Sequence, residues 1–374
     1  MTARTQWDVI IVGGGIAGAS LAYFLTERGV TDVLLLERES QPGYHATGRS
    51  AAVLAELDPI DTLQRLKVAS AGFLRHPPEG FADTPLLTPS GVMLLFREPA
   101  WSAISQAAPA IEAAGTRLEL LTPTEAVARV SALRPERFAG AVLVPDDGHI
   151  DVHAILWGYL GHARRRGVEQ RFGLEVRGIR VERGRCTGVV TPDGTLGARR
   201  VVNAGGAWAG TIARLAGASP IPLVPHRRTI VTFGAPLDVS AWPMVASEGD
   251  RLYFAPESGG LKLSPMDEDP MEPCDARPDD TVIAAGLERL RTLAPSLVPR
   301  TLGRKWSGLR TFAPDRVHVV GEDPRLPGFF WLAGQGGCGI ETSPIVGQVA
   351  ADLLVDGRTS RFDATLLAPT RFDA

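Results

Sequence analysis

Three glycines and one acid are the first residues whose spacing suggests chemistry. Gly13, Gly15 and Gly18 form G-x-G-x-x-G in "VIIVGGGIAGAS", and Glu37 follows in "VLLLERES". The glycines come directly after an apolar run and open a helical stretch, with the acid about 20 residues further on, so the whole dinucleotide fingerprint is present. Gly13 permits the tight turn, Gly15 lets the backbone approach a pyrophosphate, and Gly18 lets helix and strand pack closely. The helix start, at Ile16 and Ala17, offers N–H groups to the phosphates. Glu37 accepts the ribose hydroxyls, with Arg38 beside it.

Two further glycine turns recur along the chain. "VVNAGGAWAG" carries Ala204, Gly205 and Trp208, and "WLAGQGGCGIETS" carries Gly334, Gly336, Gly337, Gly339 and Ile340. The last turn precedes a helix expected from about Glu341. Its N-terminus faces a negatively charged group, as a reduced flavin is near N1 and C2=O. A nicotinamide has no such need, so the fingerprint reads as an FAD site. In "GGLKLSP", Leu261 and Leu263 share one face of a short strand and Lys262 takes the other. Lys262 is either a solvated strand residue or a fixed cation at the chemistry.

These residues need elements to hold them. The runs Val9–Val12 and Val33–Leu36 are continuously apolar, as in central parallel strands covered on both faces. Gly29 closes the helix between them. "DPIDTLQRLKVASAGFL" reads as a helix with Asp58 as N-cap and Pro59 at the first helical position. Thr122 and Glu125 form a capping box. "DVHAILWGYLGHARRRG" is an amphipathic helix that ends at Gly167. Short strands fill 223–264 and 302–320, split by a helix near 281–293. Strand–turn–helix units at the start, middle and end, with antiparallel-looking strands between, predict an α/β domain assembled from separated segments plus an inserted sheet domain.

Composition sets outer bounds. The 374 residues suffice for more than one domain. A net charge of -3 gives no basic surface for nucleic acid. Cys186, Cys274 and Cys338 lie far apart, which predicts neither a zinc site nor a disulfide framework and fits a reducing compartment. His226 and His318 have no metal-ligand spacing. The start "MTARTQW" holds no signal-length apolar stretch, and no run has the roughly 20 apolar residues of a membrane helix. A cytoplasmic protein with a small-molecule substrate is expected. Oligomeric state is not legible.

The chain resembles the D-amino acid oxidase-like (DAO) family of FAD oxidoreductases, which includes sarcosine oxidase and glycine oxidase. The motifs that carry this are "QPGYHATGRSAA", "NAGGAW", "PHRRT", "WPMVAS", "WSGLRTF" and "FFWLAGQGG". They are most similar to the D-arginine dehydrogenase type. The resemblance implies a Rossmann-like FAD-binding domain (1–85, 145–220 and 320–374) and a mostly antiparallel substrate domain (86–144 and 221–319), the glutathione-reductase-2-like arrangement. It implies FAD contacts at His45, Thr47, Arg49, Ser50 and Ala51, besides the glycine turns. It also implies hydride transfer from the substrate carbon to flavin N5.

Residue by residue, Arg228 and Arg310 match a pair of arginines that fork onto a substrate carboxylate. Tyr253 matches a tyrosine that donates to that carboxylate. Gly337 matches a glycine whose carbonyl receives the substrate amine. Lys262 is similar to a sarcosine-oxidase lysine that promotes the reaction with oxygen, which favours an oxidase over a dehydrogenase. Val53, Asp58 and Val92 replace a histidine, a tyrosine and the glutamate that reads a basic side chain, so a substrate that is not strongly basic is expected. Glu56 and Asp58 are the acids left nearby, and the N-cap reading of Asp58 is preferred. His45 has a local context in which some relatives bond covalently to flavin. Gly308 stands where sarcosine oxidase has its linking cysteine. Non-covalent FAD is favoured. The alternatives are a 2-hydroxy acid substrate and an FAD-binding subunit of a larger electron-transfer complex.

Overall fold

The computed structural model describes residues 4–372 and contains two eight-stranded sheets. In the first, strand Gln6–Val12 lies between Val33–Glu37 and Gly194–Asn203, and all three run parallel. Glu169–Phe172 extends the parallel set at one side and Phe329–Ala333 at the other. Antiparallel strands 178–182 and 185–191 continue from the first half of 194–203, and 319–322 pairs with 329–333. Val9 and Ile11 pack in one core with helices Ile16–Glu27, Val152–Arg165 and Ser343–Asp356, while Ile10 and Val12 pack in a second core on the opposite face. That two-sided burial is why these strands read as unbroken apolar runs.

The second sheet has the order 305–312, 224–234, 260–264, 252–257, 244–247, 92–96, 140–144, 119–121. Every pair is antiparallel except 244–247 with 92–96. One face is apolar. Met93, Val231, Phe233, Val245, Phe254, Leu261 and Leu263 pack there with Ile283 and Leu290 of helix Asp280–Leu293. The registers Lys262↔Thr232, Lys262↔Ala255, Tyr253↔Ser264 and Arg228↔Gly308 put Arg228, Tyr253, Lys262 and Arg310 together on the opposite face. Alternation alone therefore divides this sheet into a face that folds it and a face free for chemistry.

Several local readings hold, and others need correction. Thr122 and Glu125 form the expected capping box, and Gly29 and Gly167 follow their helices at positive φ. Asp58 is not an N-cap: the helix runs Asp61–Arg75 with Ile60 at its N-cap. Asp58 accepts instead from Ile60 N–H and from the Lys67 ammonium, at 2.9 and 2.8 Å. Lys67 is buried and needs carboxylates nearby, and this demand outweighs a local cap. The last helix begins at Ser343 rather than about Glu341, because residues 338–342 form a turn first.

A buried polar layer holds the 55–58 segment. Glu341 accepts from Ala55 N–H at 2.9 Å and pairs with Lys67 at 3.3 Å. Asp147 accepts from Glu56 N–H at 2.9 Å, and Arg75 pairs with Glu56. Asp147 Oδ1 has no hydrogen-bond partner among the described residues, and its ion-pair contact with Arg75 is 3.9 Å long. Burial pushes its carboxyl up to about 8 from 3.8. Burial likewise holds the His318 imidazole down, at about 3 against 6.5.

The two shifts have opposite signs in stability. Folded Asp147 keeps a proton that the unfolded chain gives up above 3.8, so stability is lost as pH rises through the folded value near 8. Folded His318 refuses a proton that the unfolded chain takes below 6.5, so stability is lost as pH falls. Between these two groups the slopes cancel from about pH 4 to 6.5, and of the two only Asp147 acts from there to about 8. The melting temperature should fall between pH 6.5 and 8, and Asp147→Asn should flatten that fall. An equal fall in the variant would remove Asp147 as its source.

Candidate functional site

A cavity of about 460 Å³ opens at the carboxyl ends of the parallel strands. It is lined by Gly13, Gly15, Glu37, Arg38, His45, Thr47, Arg49, Ala204, Gly205 and Trp208. A second cavity of about 120 Å³ continues from it past Gly15, Thr47, Arg49 and Ala204. Ile16, Ala17, Ser50, Ala51, Gly336, Gly337, Gly339 and Ile340 line this inner part, together with Arg228 and Arg310. The larger outer space and small inner space thus pass from the first parallel strands to the second sheet.

Backbone contacts show why the glycines stand where they do. A Cβ on Gly13, at φ +120, would lie 2.3 Å from the Ala204 carbonyl oxygen. One on Gly18 would lie 2.0 Å from the Gly13 oxygen, so Gly18 packs helix on turn and does not face the cavity. Gly15 differs: its φ of -76 is open to any residue, and its nearest neighbour would be Thr47 Oγ1 at 3.2 Å. Its missing side chain keeps the cavity clear. The helix from Ile16 has no acid in its first turn, leaving its positive end for an anion. Thr47 accepts from Ile16 N–H at 3.0 Å and ties the 40–50 loop to that end.

Glu37 accepts from Gly14 N–H at 2.8 Å and from Glu39 N–H at 2.9 Å, which fixes its carboxylate beside the turn. The Arg38 guanidinium lies 3.9 Å from the centre of the Trp208 ring, and the His45 ring lies 4.6 Å from it. His45 Nε2 is 2.9 Å from Glu39 Oε1 and 3.3 Å from Arg38 Nη2. The third glycine turn is pinned from behind: Thr342 Oγ1 donates to the Cys338 carbonyl at 2.7 Å and accepts from His318 Nε2 at 2.8 Å.

The inner cavity is cationic. Arg228 is buried; its Nε donates to the Asp267 carbonyl at 2.9 Å and its Nη2 to Glu268 Oε1 at 2.8 Å. Burial first, then the nearby charge of Arg310, lowers its pKa to about 10, so it remains charged at neutral pH. The Arg310 guanidinium lies against Gly337, where a Cβ would be 2.7 Å from Nη1. Tyr253 is buried close to Arg228, and its hydroxyl has no partner among the described residues.

Lys262 is not solvated. Its Nζ donates to the Ala51 carbonyl at 2.9 Å and to His149 Nε2 at 3.0 Å, and it pairs with Glu257 at 3.2 Å. Burial, only partly offset by Glu257, lowers its pKa.

Four of the residues expected at the site do not line either cavity. Gly18 and Gly334 shape turns, while Tyr253 and Lys262 stand behind the wall. Sequence reasoning missed Leu174, Val176 and Arg177, which line the outer cavity just past strand 169–172. Their signal is positional: the loop follows another parallel strand of the same sheet. It also missed Gln335 and Leu309, which line the inner cavity within motifs already quoted.

The cavity fits FAD by shape and chemistry: a side-chain-free pyrophosphate turn at a helix N-terminus, a fixed acid beside it, and a second glycine turn at the far end. The family model for FAD dependent oxidoreductases (DAO) matches residues 8–353. The chain belongs to that family, and FAD is its cofactor. It is 28% identical to glycine oxidase of Geobacillus kaustophilus, over 98% of this chain and 97% of that one. It is 24% identical to human mitochondrial dimethylglycine dehydrogenase, over 100% of this chain and 45% of that one. The chain thus spans about half the length of the first curated relatives it matches. Among solved structures, L-proline dehydrogenase from P. horikoshii superposes with a TM-score of 0.87 at 23% identity, covering 99% of both chains. Glycine oxidase from Geobacillus kaustophilus gives 0.85 at 26%, covering 98% of this chain and 99% of that one. These relatives support the family, and the D-arginine dehydrogenase type stays a resemblance of motifs. Among the described residues there is no group of acids, histidines and cysteines fit for a metal, and no helix long and apolar enough to cross a membrane.

Gly15→Val should leave the fold intact and fill the pyrophosphate turn. The variant should purify with unchanged circular dichroism and lose the yellow flavin absorbance. A fully loaded Gly15→Val protein would exclude this turn from FAD binding.

Proposed function

We propose that the protein oxidises the carbon–nitrogen bond of an amino acid, D-amino or N-alkyl and not strongly basic. The product is an imino acid, which water converts to an oxo acid and ammonia or an amine. Bound FAD supplies the hydride acceptor. One observation carries the reading: Arg228 and Arg310 share a sheet face with the unpartnered Tyr253 hydroxyl and line the inner cavity together. Two guanidiniums lining one cavity, with a buried phenol behind its wall, suit a carboxylate. The Gly337 carbonyl is the acceptor assigned to the substrate amine, which must be neutral when hydride leaves. The family membership, and relatives named glycine oxidase and 4-methylaminobutanoate oxidase, support an amine or amino-acid substrate. The Glu39 contact of His45 Nε2 supports non-covalent FAD. The FAD domain is assigned to 1–85, 145–220 and 320–374 and the substrate domain to 86–144 and 221–319, a division that follows the two large sheets.

The test uses purified holoprotein under argon with D-, L- and N-methyl amino acids. Arg310→Met should slow flavin bleaching by about 10²-fold or more at unchanged FAD content, the cost of removing one partner from a buried charge pair. Unchanged bleaching would sink the carboxylate assignment.

Oxygen is the proposed electron acceptor. Lys262 places a buried ammonium against the carbonyl of Ala51, a residue of the inner cavity wall. The first electron to oxygen makes superoxide, and a fixed cation in a low-dielectric site stabilises that anion. Lys262→Met should leave anaerobic bleaching within a few-fold of wild type and slow recovery in air by at least tenfold, as followed by stopped flow. Equal recovery in both proteins would make Lys262 a structural residue and point to a different acceptor.

A further inference from the structure

Glu268 stands at the outer edge of the arginine pair. Its Oε1 accepts from Arg228 Nη2 at 2.8 Å and from Arg316 Nη2 at 2.9 Å. Burial opposes ionisation there, but the hydrogen bond from Arg316 and the charges of Arg228, Arg316 and Arg310 together lower its pKa. Two guanidiniums thus share one protein carboxylate, with the charge of Arg310 nearby.

Both sides of this bridge are held firmly. The 267–271 segment is anchored to strand 224–234. Thr229 N–H and Oγ1 donate to the Asp267 carboxylate at 2.7 and 2.8 Å, Arg227 N–H donates to the Asp269 carbonyl at 2.9 Å, and Met271 N–H to the Pro225 carbonyl at 2.9 Å. Across from it, the Arg316 guanidinium lies 3.8 Å from the centre of the Phe312 ring, and that ring fills the side of Gly336, where a Cβ would lie 2.3 Å away. Arg316 therefore stacks on a ring that itself packs on the Gly336 turn lining the inner cavity.

The charge arrangement is uneven. Arg310 has no carboxylate partner among the described residues, whereas Arg228 and Arg316 already share one. A single incoming carboxylate finds Arg310 and the remaining donors of Arg228. Glu268 and Arg316 are not among the residues lining the inner cavity, but Glu268 is bonded to the Arg228 that does, so a second carboxylate on the same substrate meets its like charge across that guanidinium.

We infer that Glu268 is a specificity-determining residue: a built-in carboxylate that occupies the Arg228–Arg316 pair and restricts the site to substrates with one carboxylate. This rests on the proposed carboxylate role of Arg228 and Arg310. Glu268 also acts as a positioning residue, since together with the Asp267 carbonyl it fixes one edge of the Arg228 guanidinium.

The experiment measures binding of acetate, malonate and succinate to the holoenzyme, by competition with turnover and by the change in flavin absorbance. Glu268→Gln keeps the shape and removes the charge. The dicarboxylates should gain at least tenfold over acetate, and adding Arg316→Met should abolish that gain. Equal shifts for mono- and dicarboxylates, or no shift, would overturn the inference. Should Glu268→Gln lose FAD or fail to fold, Arg316→Met alone decides. Removing that cation leaves Glu268 less neutralised, so dicarboxylates should weaken several-fold more than acetate; equal weakening overturns the inference. Arg310→Met separates the two readings. If it binds acetate normally, the carboxylate clamp itself is wrong, whatever Glu268 does.

Discussion

The backbone of Gly13 passes so close to the carbonyl of Ala204 that no side chain fits between them. The rest of the site depends on this approach. It brings the ends of two neighbouring parallel strands together, so that the two turns leaving them, at 13–15 and 204–206, form one wall. Strand 329–333 pairs on the far side of 194–203 and delivers the third glycine turn to the same end of the sheet. Three chain segments far apart in sequence thus leave one sheet edge as backbone rather than side chain. A dinucleotide needs that: its phosphates are bound by N–H groups and a helix dipole, and side chains there would take up its volume.

The second sheet solves a different problem. It must fold on one face and present charge on the other. Period-two alternation does this without extra elements: Leu261 and Leu263 enter the core under helix Asp280–Leu293, while Lys262 between them meets Ala51 and His149. The same alternation along 224–234 sends Val231 and Phe233 inward and leaves Arg228 on the charged face. Burying cations there is costly, and each has a different remedy. Lys262 has three protein partners and Arg228 has Asp267 and Glu268, but Arg310 has no carboxylate partner among the described residues. That asymmetry is the strongest structural argument for an anionic ligand.

Legibility in the sequence followed the range of each interaction. The glycine fingerprint, Glu37, the capping box at Thr122 and the apolar parallel strands are local patterns, and each was readable from a few neighbouring residues. Asp58 was misread because its ion-pair partner Lys67 lies nine positions away on a helix face, and burial of that lysine cannot be seen in a local cap pattern. Lys262 could be given a face but not a depth, since its neighbours Ala51 and His149 are more than a hundred positions away. Leu174 and Val176 were missed because they act through where their strand ends and carry no distinctive side chain. The arginine pair became visible only through family motifs. With 39 lysines and arginines, no spacing singles out two.

Lys262 and Arg228 lie on one sheet face, yet the electrostatics around them differ in kind. Arg228 and Arg310 repel each other, and the cost is offset only in part by Glu268, so the pair gains most when an anion enters between them. Lys262 instead sits in a closed set of acceptors, a carbonyl, an imidazole and a carboxylate, and gains nothing from a new ligand. Its ammonium therefore holds a fixed place behind the Ala51 wall. A standing cation suits a step that comes after the substrate has reacted, when an electron must leave for a small neutral acceptor and the product of that step is an anion. On the proposed function, the arginines suit recognition because they are incomplete, and the lysine suits the later half-reaction because it is complete.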